Sequence, residues 1–176
     1  MAAIIDEVSK GSYDLGIVVD PDVDRLAFID ENGAMFGEEY TLVLVADYLL
    51  SLTSGHVVSN MSSSKSLRDL AELKGSTYSP SAVGEVNVVN EMKSKNAVLG
   101  GEGNGGIILP ELHYGRDALV GIALALTYLA KSGKTMSELR SGYPQYYMAK
   151  QKIELIPGLD VESILATIAG RYSDEE

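Results

Sequence analysis

Hydrophobic positions along the chain switch between two periods, and the switching predicts alternating helices and strands. Ile4, Ile5 and Val8 fall on one face of a short helix that Gly11 closes, and the apolar run Leu15–Val19 reads as a buried strand. An acidic segment follows, then a second expected strand over residues 26–29 and a turn at Asp30-Glu31-Asn32-Gly33. Leu42, Val45, Ala46, Leu49 and Leu50 share one helical face. Beyond it the pattern predicts strand 56–59, helix 67–73, strand 77–79, helix 86–93 and strand 97–99. A glycine loop, strand 107–109 and a long helix over 118–131 come next. Thr135-Met136-Ser137-Glu138 spells a capping box that starts a short helix, ended by Gly142 and Pro144. Residues 150–155 alternate as a strand, and Val161, Ile164, Leu165 and Ile168 mark a last helix. Such alternation predicts an α/β fold, a layered sheet with helices on both faces.

Composition narrows the possibilities. At 176 residues and 45% hydrophobic content, the chain can build one full domain and fragments of others. A formal charge of −11 argues against nucleic acid and anionic membrane surfaces as partners. The apolar runs fall short of a membrane span. Met1-Ala2-Ala3-Ile4-Ile5 runs straight into Asp6 and Glu7, unlike a signal peptide, so a cytoplasmic setting is expected. Without cysteine there are no disulfides or thiolate metal sites. No internal repeat or low-complexity tract interrupts the pattern.

The chemistry concentrates in Asp20-Pro21-Asp22-Val23-Asp24-Arg25. At a strand end the chain can curl, and side chains spaced by two then converge. Three crowded carboxylates repel one another unless a cation sits between them, and oxygen-only ligands favour Mg²⁺ or Ca²⁺. Arg25 adds a planar donor suited to a phosphate beside that ion. An acidic turn with Arg25 as a surface partner is the plainer reading. In an EF-hand register Asp20, Asp22, Asp24 and Glu31 would be ligands, making the chain a non-enzymatic calcium-binding or interaction module. The sixth position holds Arg25 instead of glycine, however, and a strand precedes the loop where a helix should. An aspartate-nucleophile phosphatase of the haloacid-dehalogenase type would use Asp20 and Asp22, but carries Thr or Val where Asp24 stands.

A second motif, Gly100-Gly101-Glu102-Gly103-Asn104-Gly105-Gly106, joins one carboxylate and one amide to a loop able to turn tightly against a ligand. Taken together, these strings resemble the α-D-phosphohexomutases, whose magnesium loop reads Asp-Gly-Asp-x-Asp-Arg and whose sugar loop reads Gly-Glu-x-Ser-Gly-His. Ile107-Ile108-Leu109-Pro110 and Gly115-Arg116-Asp117-Ala118 are similar to the archaeal-type phosphoglucosamine and phosphomannomutase branch. Ser79-Pro80-Ser81-Ala82-Val83-Gly84-Glu85 is similar to the family's Thr-x-x-Gly loop.

The resemblance implies an intramolecular phosphotransferase that interconverts hexose 1-phosphate and 6-phosphate through a phosphoserine and a bisphosphate. It implies Mg²⁺ on Asp20, Asp22 and Asp24, a phosphate contact at Arg25, and a hexose phosphate held by Glu102, Asn104 and Glu85. It also implies a division into residues 1–35 (end of a second domain), 36–143 (a complete third domain) and 144–176 (linker and start of a fourth). The remaining N- and C-terminal domains of the same protein would supply the serine loop and the phosphate loop, and this segment alone would be inactive. Two departures stand out. Pro21 replaces the loop glycine, and Gly106 replaces a histidine, so general acid–base duty would fall on Glu102, Glu85 or residues elsewhere.

Other residues take structural readings. Ser62-Ser63-Ser64-Lys65 is expected to supply a serine cap to the next helix, and Asp117 to cap the long one. His113 and His56 read as loop and strand residues, Lys65 and Arg68 as solvated bases. Tyr143, Tyr146 and Tyr147 are expected to pack between domains.

Overall fold

A computed structural model describes residues 1–149, 151, 154–156 and 158–173. In it, the neighbours Val57 and Val58 on one strand point into two different cores, and that alternation generates the layers. The strand is β3 (His56–Asn60), central in a sheet ordered β4 (Thr77–Ser81), β3, β5 (Leu99–Gly101), β6 (Ile107–Ile108). β4, β3 and β5 run parallel, and β6 returns antiparallel to β5. On one face Val57, Leu99 and Ile107 join Leu42 to Ala46, Leu67 and Leu70 in the larger core. On the other, Val58 and Ile108 meet Val88 and Met92 of α4 (Glu85–Lys95). Helices cover both faces, as expected.

α2 (Glu38–Leu52) is the axis of the larger core. Every residue from Tyr40 to Tyr48 is buried, so the helix is covered all round instead of along the single expected face. The expected strand at 97–99 lies two residues further on, at β5, where Gly100 pairs with Val58. α3 (Ser66–Leu73) starts without a side-chain cap on its N-cap Lys65. The serine role falls one residue earlier, where Ser64 Oγ accepts the Ser66 N–H at 3.1 Å. Arg68 is spent on its own helix, 3.2 Å from Asp69 and 3.9 Å from Glu72.

Ahead of this sheet, α1 (Ala2–Lys10) leads into the antiparallel pair β1 (Leu15–Val19) and β2 (Leu26–Asp30), with Leu15 opposite Asp30 and Val19 opposite Leu26. Leu26 and Phe28 enter the larger core, so the hairpin is built onto α2. α5 (Ala118–Ser132) and α6 (Met136–Ser141) close that core, and α6 carries the expected capping box.

Met1–Tyr146 form one compact unit, and Tyr147–Glu176 a second. Tyr143 and Tyr146 belong to the first, their hydroxyls bonding Asp47 and Asp69. Within the second unit, α7 (Val161–Arg171) forms where the apolar spacing placed it. Lys150, Lys152 and Ile153 of the expected strand 150–155 lie outside the described residues, and its other positions carry no regular structure. No helix among the described residues is long and apolar enough to cross a membrane.

Candidate functional site

Asp20 directly follows the last residue of β1, and its carboxylate organises the loop behind it. Oδ1 accepts the N–H groups of Asp24 at 3.1 Å and Arg25 at 3.0 Å, and Oδ2 accepts Arg25 Nε at 2.6 Å. The Arg25 backbone bond, with the guanidinium behind it, holds the Asp20 carboxyl far below the usual range. Curled this way, Asp20, Asp22 and Asp24 bring carboxylate oxygens within 4.8 Å of one another. Burial, and then the neighbouring Asp20 and Asp22, push the Asp24 carboxyl up against the opposing pull of Arg116. One oxygen of Asp24, Oδ1, is buried without a hydrogen-bond partner.

This donor set fits a divalent cation. The ligand atoms are hard oxygens of one sign, and a buried acceptor lacks a donor. The loop is also strained: Val23, a β-branched residue, sits at φ 58°. Its carbonyl accepts the N–H of Ala118 at 3.1 Å, docking the loop on the first turn of α5. Pro21 was the visible departure in the sequence, but the strain falls two residues later.

The glycine loop lies alongside. Leu26 N–H donates to Gly105 O at 3.1 Å, and Arg25 bridges Gly106 across the backbone. Gly105 has φ 89°, and a Cβ there would stand 2.1 Å from Leu26 O, so only glycine permits the approach. Glu102 is buried, its Oε1 accepting Asn60 Nδ2 at 2.6 Å. Its Oε2 accepts Arg116 Nη1 at 2.5 Å and Asn104 Nδ2 at 3.4 Å, so Glu102 and Asn104 do converge. A cavity of about 330 Å³ opens between Val19, Asp20, Arg25, Leu26, Glu38 and Asn104.

Arg116 completes the cluster. It pairs with Asp24 Oδ2, with Glu102, and with Glu85 Oε2 at 3.4 Å, while its N–H donates to Glu85 Oε1 at 3.3 Å. Burial lowers its basicity, but Glu102, Asp24 and Glu85 outweigh that and hold the guanidinium charged. All seven site residues expected from the sequence therefore lie in one region, Glu85 reaching it through Arg116. Two more were missed. Asn60, at the end of β3, carried no local signal. Arg116 was hidden behind Asp117, which does cap α5, accepting Leu119 and Val120 N–H groups at 2.8 and 3.1 Å. An imbalance of charge could have exposed it, since Asp20, Asp22, Asp24, Glu85 and Glu102 leave Arg25 as one cation among five anions. His113 faces Asp117 at 3.0 Å and lies half exposed, as a loop histidine should. His56 bonds Thr77 and Ser79 across the sheet.

Known proteins are similar to most of this chain. The sequence profile described as phosphoglucomutase/phosphomannomutase, alpha/beta/alpha domain III, matches residues 37–147. A phosphoglucomutase/phosphomannomutase of Thermococcus kodakarensis is 38% identical over 157 residues, covering 89% of this chain and 34% of the relative. A phosphoglucosamine/phosphogalactosamine mutase of Sulfurisphaera tokodaii is 34% identical over 164 residues, covering 91% and 36%. Among solved structures, a phosphoglucomutase/phosphomannomutase family protein of Burkholderia thailandensis aligns with a TM-score of 0.71 at 22% identity, over 81% of this chain and 31% of that one. Aspergillus fumigatus N-acetylphosphoglucosamine mutase, in complex with GlcNAc-6P and magnesium, aligns with a TM-score of 0.62 at 17% identity, over 93% and 45%. The chain spans about a third of the length of the two sequence relatives. It belongs to the phosphoglucomutase/phosphomannomutase family, with the family's α/β/α domain III at its centre.

Proposed function

We propose that this chain supplies the metal-binding and sugar-recognition part of a phosphohexomutase, which interconverts hexose 1-phosphate and 6-phosphate through a phosphoserine and a bisphosphate. One observation carries the reading: three carboxylates with oxygens within 4.8 Å lie beside a loop that presents Glu102 and Asn104. In family terms, residues 1–35 are the end of a second domain, 36–143 the third, and 144–176 the start of a fourth. The missing domains of the whole protein, in the cytoplasm, bring the phosphoserine.

Asp20, Asp22 and Asp24 hold Mg²⁺, which when bound withdraws charge from a transferring phosphoryl group. Arg25, half exposed at the cavity, contacts phosphate oxygens. Glu102 and Asn104 hold sugar hydroxyls, Glu102 through Oε1, which accepts only Asn60 and keeps acceptor capacity. Glu85 sits at the rim, joined to the site through Arg116. Glucose, mannose or glucosamine phosphate is the proposed substrate class, a range that the relatives' names support.

Two other readings are disfavoured by geometry. In an EF-hand Glu31 would be a ligand, but its carboxylate turns to Ser137 of α6, accepting the backbone N–H at 3.2 Å. An aspartate-nucleophile phosphatase would carry Thr or Val where this chain sets Asp24 beside Asp20 and Asp22.

Calorimetric titration with MgCl₂ tests the metal. We expect weak binding by the chain and none by Asp22→Asn. Submicromolar affinity, or calcium preferred strongly over magnesium, contradicts it. A coupled assay with glucose 1-phosphate and its bisphosphate should give no turnover with the chain alone. Turnover would overturn the division of the site between domains, and a beryllofluoride adduct at Asp20 would favour a phosphatase.

A further inference from the structure

We infer that Arg116 is a positioning residue that ties the acidic loop to the glycine loop, and that position 106 is glycine to make room for it. The inference takes the ligand roles of the two loops from the proposed function, while the tie itself stands on side-chain geometry.

One guanidinium reaches carboxylates from three distant stretches: Asp24 between β1 and β2, Glu85 at the start of α4, and Glu102 after β5. Its side chain is only 21% exposed. A planar fork can serve two carboxylates at a fixed angle, whereas an ammonium is a point donor on a loose stem. With Oδ2 of Asp24 engaged by Arg116, the remaining oxygen, Oδ1, is buried without a hydrogen bond, Arg25 Nε standing 3.6 Å away. Arg116 thereby fixes which oxygen Asp24 offers to a cation. Through Glu102 the same group fixes the carboxylate that would meet a sugar.

Gly106 fits this account and resists the usual one. Its backbone lies outside the left-handed region, unlike that of Gly105, so conformation does not require glycine. Space does. A Cβ at 106 would stand 2.5 Å from Arg116 Cδ and 3.2 Å from Cγ. A side chain at 106 and the observed Arg116 exclude each other. The cation of this site therefore enters from the segment before α5, through room that the glycine loop leaves open.

Amide hydrogen exchange on the metal-free chain tests the tie, with Arg116→Lys keeping the charge and removing the fork. Exchange at residues 22–25 and at 102–106 should rise together by about tenfold, the scale of one lost charge-assisted hydrogen bond. Amides of β3 and α3 should not change. Gly106→Ala should produce the same pattern by displacing Arg116, and the double variant should exchange no faster than either single one. Mn²⁺ affinity, read by electron paramagnetic resonance, should weaken by about tenfold in both single variants. Unchanged exchange in either loop, or additive effects in the double variant, overturns the inference. Failure of the wild-type chain to bind Mn²⁺ would instead strike the metal reading, and exchange would still decide the tie.

Discussion

Asp47 and Asp24 are both largely covered carboxylates, with side chains 11% and 18% exposed, yet their surroundings differ in kind. Asp47, on α2, has every oxygen engaged. Lys74 Nζ lies 2.5 Å from Oδ1, and Tyr128 and Tyr143 hydroxyls donate to Oδ2 at 2.7 and 3.0 Å. Asp24 has Arg116 on one oxygen, no hydrogen bond on the other, where Arg25 Nε stands off at 3.6 Å, and two more carboxylates within 4.8 Å. Around Asp47 charge and hydrogen bonding close on themselves, which is what a structural ion pair needs. Around Asp24 they do not close, and a further positive group is wanted. Burial is similar, so satisfaction is what separates the structural carboxylate from the one held for a ligand.

Asp47→Ala should therefore produce the largest loss of stability. It takes the acceptor from the buried Tyr143 hydroxyl and from the part-buried Tyr128 and Lys74, at a cost of about 3 kcal/mol. Urea unfolding measures it, and Mg²⁺ binding should be unchanged. A loss under about 1 kcal/mol would remove the contrast with Asp24.

Tyr143→Phe sharpens the same point with a smaller effect, about 1.5–3 kcal/mol for a hydrogen bond to a charged acceptor. Burial, and then the negative charge of Asp47, push the Tyr143 hydroxyl well above its ordinary value, and Tyr128 is raised likewise. For a raised phenol the native state keeps the proton that the unfolded chain gives up. Its contribution is full below the unfolded value of about 10 and is lost as pH climbs through the folded one. Unfolding midpoints should fall above that pH in the wild type and fall less steeply in Tyr143→Phe. Parallel curves would show that the phenol is not protected.

At the start of α5, Asp117→Ala removes two N-terminal hydrogen bonds and should cost about 1 kcal/mol. Burial raises the Asp117 carboxyl, but bonds from Val120 N–H, His113 and Leu119 N–H prevail and hold it low. A depressed carboxylate contributes fully above its unfolded value of about 3.9 and loses that contribution as pH falls through the folded one. The gap between wild type and variant, from thermal unfolding across pH 3 to 7, should close at the acid end. A gap that stays constant would mean that the cap acts through shape alone.

What was legible in the sequence was local. The acidic triad spans five positions, so its convergence follows from spacing at a strand end, and the same holds for Glu102 and Asn104. Strand and helix alternation was legible because each element has a face to bury. Arg116 was not, because its partners lie 14, 31 and 92 residues away and its neighbour Asp117 already gave the dipeptide a local purpose. Asn60 was missed for the same reason, holding Glu102 from 42 residues off. β5 slid past its expected place because its pairing partner β3 accepts glycine backbone as readily as any other. All-round burial of α2 needed knowledge of what surrounds it.

Asp24→Asn is the smallest expected change in stability and the sharpest test of the contrast. The substitution weakens the pair with Arg116 by about 1 kcal/mol, as a charged acceptor becomes neutral. It also relieves repulsion from Asp20 and Asp22, worth a comparable amount at a partly exposed site. These offset, so stability in EDTA should move by less than about 1 kcal/mol. Magnesium separates the two proteins. A ligand that binds only the native state stabilises it by mass action, about 1.4 kcal/mol at ten times its dissociation constant. Thermal unfolding of the wild type should therefore shift upward as MgCl₂ is added, and that of Asp24→Asn should stay where EDTA left it. A loss of several kcal/mol in EDTA would place Asp24 with Asp47 among the carboxylates that hold the fold together.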